Sequence, residues 1–204
     1  MMANDTCVGV ILAGGKSKRM GTNKALLSLN GKPMIQVIAE IMQTVFSSVI
    51  IIADEQEEYG FLNIPIIPDK ISECGPLGGI YSAITFTQKP CFVVACDVPF
   101  ISPPLIEYII NFPGDSDVKI PEMDSQIHPL CGWYSMRCTG IFEAQLAQRE
   151  LKLQNALQKT RTVIIPISPH LPFYHPNLLL NINDVPTYEN VVDTQILTNQ
   201  NSPN

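Results

Sequence analysis

The chain has 204 residues, 46% apolar and 16% charged, with a formal net charge of −6. That length is enough for one α/β domain with a sizeable core, and no apolar run approaches the roughly 20 residues of a membrane span. Cys7, Cys74, Cys91, Cys96, Cys131 and Cys138 are scattered without a CxxC pair, so buried thiols in a reducing cytoplasm are expected, not a disulfide framework or a zinc site.

The opening residues MMANDT carry no basic segment or signal-like hydrophobic stretch, which again predicts a cytoplasmic protein. Residues 7–12 (CVGVIL) read as a buried strand. It ends at Gly14 and Gly15, and Lys16, Lys18, Arg19 and Lys24 follow. Backbone without Cβ atoms can approach a phosphate closely and aim N–H groups at its oxygens, and the cations supply countercharge. Between Thr6 and Ala39 there are five basic residues and no acidic one. A positive basin in an acidic chain predicts a bound anion, not a nucleic-acid surface; the competing reading is a solvated lysine loop. Gly15-Lys16-Ser17 fits the end of a Walker A loop, but its first glycine falls on Val10. No G-x-G follows Leu12, so the dinucleotide fingerprint fails too.

Asn30-Gly31 marks a turn, and Pro33 is placed to open a helix. Ile35, Ile38, Ile41, Met42 and Val45 recur at helical spacing, and residues 49–53 (VIIIA) read as a second strand. Strand, helix and strand in this order predict a parallel pair with a right-handed crossover. Asp54 stands at the end of the second strand, where ligands collect in open α/β sheets; a helix cap or turn is the alternative. Residues 65–68 (PIIP) suggest a short strand, again followed by an aspartate, Asp69. Gly75, Gly78 and Gly79 precede a helical pattern at 81–87. They suit either a nucleobase or phosphate, or close helix–sheet packing. Residues 91–96 (CFVVAC) read as a buried strand delivering Asp97 to its end, a placement suited to a Mg²⁺ ligand; a helix cap is the alternative. Strands are expected at 118–121, 127–134 (irregular or at an edge, because of His128, Pro129 and Gly132) and 163–167, with helices at 142–148 and 151–158. Asn181 and Asn183 lie in LLLNIND, before Pro186 and a short helix, where they read either as ring-edge contacts or as a polar turn. Residues 198–204 read as a disordered polar tail, which leaves 1–197 as one domain.

The loop LAGGKSKRMGTNK resembles the signature of the small nucleotidyltransferases, L-A-[GA]-G-x-S-x-R-M-G-x-x-K, and is most similar to the molybdenum cofactor guanylyltransferases. Asn23 departs from that group, which often has Asp there. Pro68-Asp69 with Gly75–Gly79, and Ala95-Cys96-Asp97 with Pro99-Phe100, resemble the family's second and third blocks; Asn181 and Asn183 match a fourth. The resemblance implies a single three-layer, Rossmann-like α/β domain of nucleotide-diphospho-sugar transferase type, with a mainly parallel sheet. It implies Mg²⁺-dependent transfer of GMP from GTP to the phosphate of molybdenum-loaded molybdopterin. Leu12, Ala13, Gly14, Gly15, Lys24, Asp54, Asp69, Gly75 and Asp97 would bind GTP, Arg19, Lys24 and Asp97 would act in catalysis, Asp97 would hold the metal, and Asn181 and Asn183 would meet the pterin. His128 lies in a stretch similar to one that lines the acceptor side, and is either a contact there or structural. The partners implied are GTP, a molybdopterin and proteins of cofactor biosynthesis or the target apoenzymes, with no nucleic acid or membrane. The rivals are a CTP-dependent pterin, sugar-phosphate or isoprenoid cytidylyltransferase, and a non-catalytic nucleotide-binding regulator.

Overall fold

A computed structural model of the chain describes residues 5–14, 23–54, 57–71 and 73–200. The first strand, β1 (Val8–Leu12), is buried along its whole length. Helices cover both faces of the sheet here, so the strand is an unbroken apolar run with no alternation. A hairpin of β2 (Ser28–Leu29) and β3 (Lys32–Pro33) turns at Asn30 and Gly31, with φ of 51° and 81°, as the Asn-Gly pair predicts. Pro33 belongs to that hairpin and precedes α1 (Met34–Val45), which therefore starts one residue later than the proline suggests. Residues 34, 35, 38, 39, 42 and 45 form the buried stripe of α1.

The chain then runs through β4 (Val49–Ile52), β5 (Ile66–Ile67), α2 (Gly75–Thr87), β6 (Cys91–Ala95) and α3 (Pro103–Asn111). It continues through β7 (Val118–Met123), β8 (Gln126–Ile127), β9 (Cys131–Tyr134), α4 (Cys138–Ala147), α5 (Leu153–Gln158), β10 (Thr162–Pro166) and α6 (Val185–Gln200). The main sheet has the order β10-β7-β9-β6-β1-β4-β5, with β8 paired to β7. The pairs β1–β4, β1–β6, β4–β5 and β7–β10 are parallel, and β9 runs antiparallel between β6 and β7. The sheet is thus mainly parallel, in a three-layer α/β fold. Alternate residues of each central strand serve the two layers. Ile11, Ile51, Phe92 and Val94 pack with α1 and α3, whereas Val10, Leu12, Ile50, Ile52 and Val93 pack with α2, α4 and α5.

Three expectations need correction. The stretch 127–134 is irregular, as one of its two readings held, but not at an edge: His128, Pro129 and Leu130 break it into β8 and β9, and β9 is interior. Pro129 is tolerated because it stands in the break, outside the ladder, where its carbonyl accepts from Tyr134 Oη. Helix α2 begins at Gly75, not near 81, and so includes the glycines. Helix α6 runs for 16 residues, from Val185 to Gln200, where a short helix was expected.

Gly132 shows how tightly the interior antiparallel strand is fitted. A Cβ there would lie 2.7 Å from the Lys119 carbonyl oxygen and 2.7 Å from Ile120 Cγ2. The carbonyl belongs to the neighbouring strand and cannot retreat without opening the β7–β9 pair. Gly132→Ala is expected to cost about 1–3 kcal/mol, read as a lower urea midpoint; an unchanged midpoint would show that the strands are free to part.

At the amino end of β7, away from the site described below, Asp117 accepts from Arg161 and Arg137, and Asp115 from both as well. Burial alone would raise the Asp117 carboxyl, but hydrogen bonds from the Arg161 side chain and backbone, and then from Arg137, bring it down to about 2. An unfolded aspartate titrates near 3.9. The network's stabilisation is therefore full above about pH 4 and fades as the pH falls toward about 2. Asp117→Ala should melt below the wild type at pH 7, and the gap should close between about pH 4 and 2. A gap independent of pH would contradict this.

Candidate active site

Strands β1 and β6 are neighbours, yet α1 carries the chain from β1 away toward β4 and β5 before α2 returns it to β6. Between them lies the topological switch point, where the carboxyl ends of the strands open a crevice. Gly14 and Asp97 are delivered there. The sheet closes just beneath them: Cys96 N–H donates to Leu12 O and Ala13 N–H to Ile52 O, both at 3.0 Å. Those groups of Leu12 and Ala13 are thus engaged within the protein. Gly14, exposed, is the first residue past the sheet.

Asp97 follows β6 in a turn and is half-buried. Its backbone carbonyl accepts from Ile182 N at 2.8 Å, which ties the late LLLNIND segment to the strand end. Burial raises the Asp97 carboxyl, and the nearby Lys24 ammonium opposes the rise. The helix-cap alternative falls away, because Ser102 caps α3. Lys24 Nζ donates to Asn183 O at 2.5 Å and to Asn183 Oδ1 at 3.3 Å. A lysine that opens a short 3-10 helix (Lys24–Leu26), a strand-end carboxylate and a residue 159 positions beyond the lysine are thus brought together. The neighbouring Cys96 thiol is pushed up to about 12, by burial and then by Asp97, and is no nucleophile at neutral pH.

On the β4–β5 side, Asp54 Oδ1 accepts from Asp69 N–H at 3.3 Å. Asp69 Oδ1 accepts from Ser82 Oγ at 2.6 Å and from Ile71 N–H at 3.2 Å. Asp54 thus braces a backbone, and one oxygen of Asp69 is committed to α2. Gly78 and Gly79 are packing glycines: a Cβ would lie 2.8 Å from Cys74 Cβ at Gly78 and 3.1 Å from Leu12 Cδ2 at Gly79. Gly75 is different, with φ +59° and open space around it.

On the other side of Asp97 a pocket of about 130 Å³ is lined by Val98, Gln126, His128, Pro129 and Asn181, among others. Burial lowers the His128 pKa, Asp124 opposing, so the imidazole is neutral at pH 7. The two asparagines part company: Asn181 lines this pocket, whereas Asn183 holds Lys24. Asp184 caps α6 through Thr187 N–H at 2.8 Å. Gly15 and Arg19, with Lys16 and Lys18, lie outside the described residues. Composition gave no sign of Glu58 and Tyr59, whose side chains meet Asn23; no local pattern links residues 35 and 36 positions apart.

A glycine and a carboxylate stand at the ends of neighbouring strands at the switch point of this sheet, with a lysine close enough to the carboxylate to affect it, and they form the candidate nucleotide site. The chain matches the family model described as MobA-like NTP transferase domain over residues 9–163, and it belongs to that family. It is 33% identical to the probable molybdenum cofactor guanylyltransferase of Clostridium perfringens, over 89% of this chain and 94% of that one. With the protein of the same description from Pelotomaculum thermopropionicum it shares 39% over 71% of each. Among solved structures, the molybdopterin-guanine dinucleotide biosynthesis protein A of Archaeoglobus fulgidus superposes with a TM-score of 0.81 at 22% identity, covering 93% and 99% of the two chains. That likeness shows the fold. Among the described residues no helix is long and apolar enough to cross a membrane.

Proposed function

We propose that this nucleotidyltransferase is a molybdenum cofactor guanylyltransferase, acting in the cytoplasm as a single domain over residues 1–197. It transfers GMP from GTP to the terminal phosphate of molybdenum-loaded molybdopterin. The observation that carries this is the meeting of Lys24 and Asp97 at the β1–β6 switch point, between a glycine-lined side and the pocket of His128 and Asn181. The triphosphate lies along Gly14 and Lys24, with Gly15 and Arg19 assigned by family resemblance. Leu12, Ala13, Asp69 and Gly75 shape the guanosine side, with Asp54 bracing Asp69. Asn181 faces the pterin.

An oxygen of the acceptor phosphate forms a bond to the α-phosphorus of GTP, the bond from that phosphorus to the bridging oxygen breaks, and pyrophosphate leaves with its electron pair. The acceptor is already an anion at pH 7, so no general base is needed, and neutral His128 serves as a hydrogen-bond partner. Catalysis then rests on positioning and on offsetting charge. Lys24 neutralises the phosphates.

The residues present fit Mg²⁺. Asp97 offers a hard oxygen donor whose charge burial disfavours, and no other described side chain hydrogen-bonds to it. Among the described residues no group of three or more Asp, Glu, His and Cys gathers at a point. One carboxylate with phosphate oxygens and water is an ordinary Mg²⁺ set. When bound, the ion would supply charge neutralisation on the phosphates. The proposed recipients of the product are cofactor-biosynthesis proteins or target apoenzymes.

Equilibrium binding of GTP, CTP and ATP, each with Mg²⁺, tests the base assignment. GTP is expected to bind tightest, and tighter CTP binding would make the chain a cytidylyltransferase.

A further inference from the structure

Asn23 stands just before Lys24, and its side chain is engaged on both its oxygen and its nitrogen. Ala25 N–H can only donate, so Asn23 Oδ1 faces it, at 3.0 Å. The amide nitrogen then faces the other way, where it donates one hydrogen to Tyr59 Oη at 2.8 Å and the other to the Glu58 carboxylate. With its acceptor side taken, Tyr59 turns its own hydrogen to the Ala13 carbonyl at 3.3 Å. The Tyr59 ring is 2% exposed and part of the core, so the hydroxyl has a fixed origin.

We propose that Tyr59 and Glu58, acting through Asn23, are positioning residues that hold Ala13 and Asn23, and with them Gly14 and Lys24, at a fixed separation. Ala13 precedes Gly14 and Asn23 precedes Lys24, so the chain Ala13–Tyr59–Asn23 sets where the lysine stands against the Gly14 backbone. This inference rests on the nucleotidyltransferase reading and adds residues from outside the signature loop. The network also specifies asparagine. An aspartate at position 23 would lack both N–H donors and would bring a second carboxylate up against Glu58, and like charges at that range repel.

The test uses the full chain and GTP with Mg²⁺. Tyr59→Phe keeps the ring and removes the hydroxyl. It should weaken GTP binding and raise the KM for GTP about tenfold, with the acceptor KM unchanged and the melting temperature nearly kept. A merely structural hydroxyl would lower the melting temperature and leave the KM of the folded enzyme alone. Asn23→Asp should weaken GTP binding by about tenfold or more, and adding Glu58→Gln should recover most of the loss, because the amide again supplies a donor. Unchanged GTP binding in Tyr59→Phe, or a double variant no better than Asn23→Asp alone, would overturn the proposal. If wild type prefers CTP and the variants weaken CTP in the same pattern, the positioning role stands and only the base assignment falls. If wild type binds none of the three triphosphates, both fall together.

Discussion

Asp97→Asn should lower guanylyl transfer by about 10³-fold or more while the melting temperature holds or rises slightly. The two halves of that result have separate causes. Asparagine keeps the size of the side chain, and the backbone carbonyl that anchors Ile182 is untouched. The carboxylate itself is held at an energetic cost, since burial raises its pKa and Lys24 only partly compensates; a neutral amide removes that cost. What is lost is the anionic oxygen at the strand end, the group proposed to hold Mg²⁺ against the phosphates. Weakened catalysis with equal or higher stability would mark a residue retained for function at some expense to stability. The measurement is kcat at saturating GTP beside a thermal melt. Turnover within threefold of wild type would remove Asp97 from the mechanism.

Lys24→Met should lower kcat/KM for GTP by about 10²-fold, with most of the loss in kcat at high Mg²⁺. In this structure the ammonium is held by Asn183 through both carbonyl oxygens, close enough to Asp97 to affect its pKa. The charge therefore stands ready beside the crevice, and triphosphate binding need only draw it from two neutral acceptors to an anionic one. Methionine keeps most of the aliphatic stem and removes the charge, which separates electrostatic loss from packing loss. Steady-state kinetics would detect the split. A higher GTP KM with unchanged kcat would instead mean that Lys24 binds the ground state and the transition state equally.

Much of this was legible from sequence because the informative strands are buried on both faces. Residues 8–12, 49–52 and 91–95 are short apolar runs ending in glycine or aspartate, and the rule for open α/β sheets places those ends together. Helix α2 was misjudged for a physical reason. Glycine and proline read as loop, yet proline is accepted in a first helical turn, and the Gly78 and Gly79 positions need the absence of a Cβ to pack on Cys74, Asp69 and Leu12. The interior position of β9 was hidden because a proline beside an apolar run suggests an edge, and only the sheet order shows the break that accommodates it. The contacts that complete the site were beyond reach altogether. Lys24 meets Asn183 across 159 residues, and Asn23 meets Tyr59 across 36. Neither pairing has a periodicity or spacing that a single sequence displays. The motif supplied the residue types, and the fold supplied their partners.

The most direct test of the central claim is a single-turnover reaction. Purified protein would be mixed with Mg²⁺, molybdenum-loaded molybdopterin and GTP, and the pterin product and pyrophosphate followed by mass spectrometry and a coupled assay. A pterin guanine dinucleotide and one pyrophosphate for each GMP transferred are expected, with little product from CTP. A cytosine dinucleotide from CTP with none from GTP, or no nucleotidyl adduct on the pterin from any triphosphate, would contradict that claim.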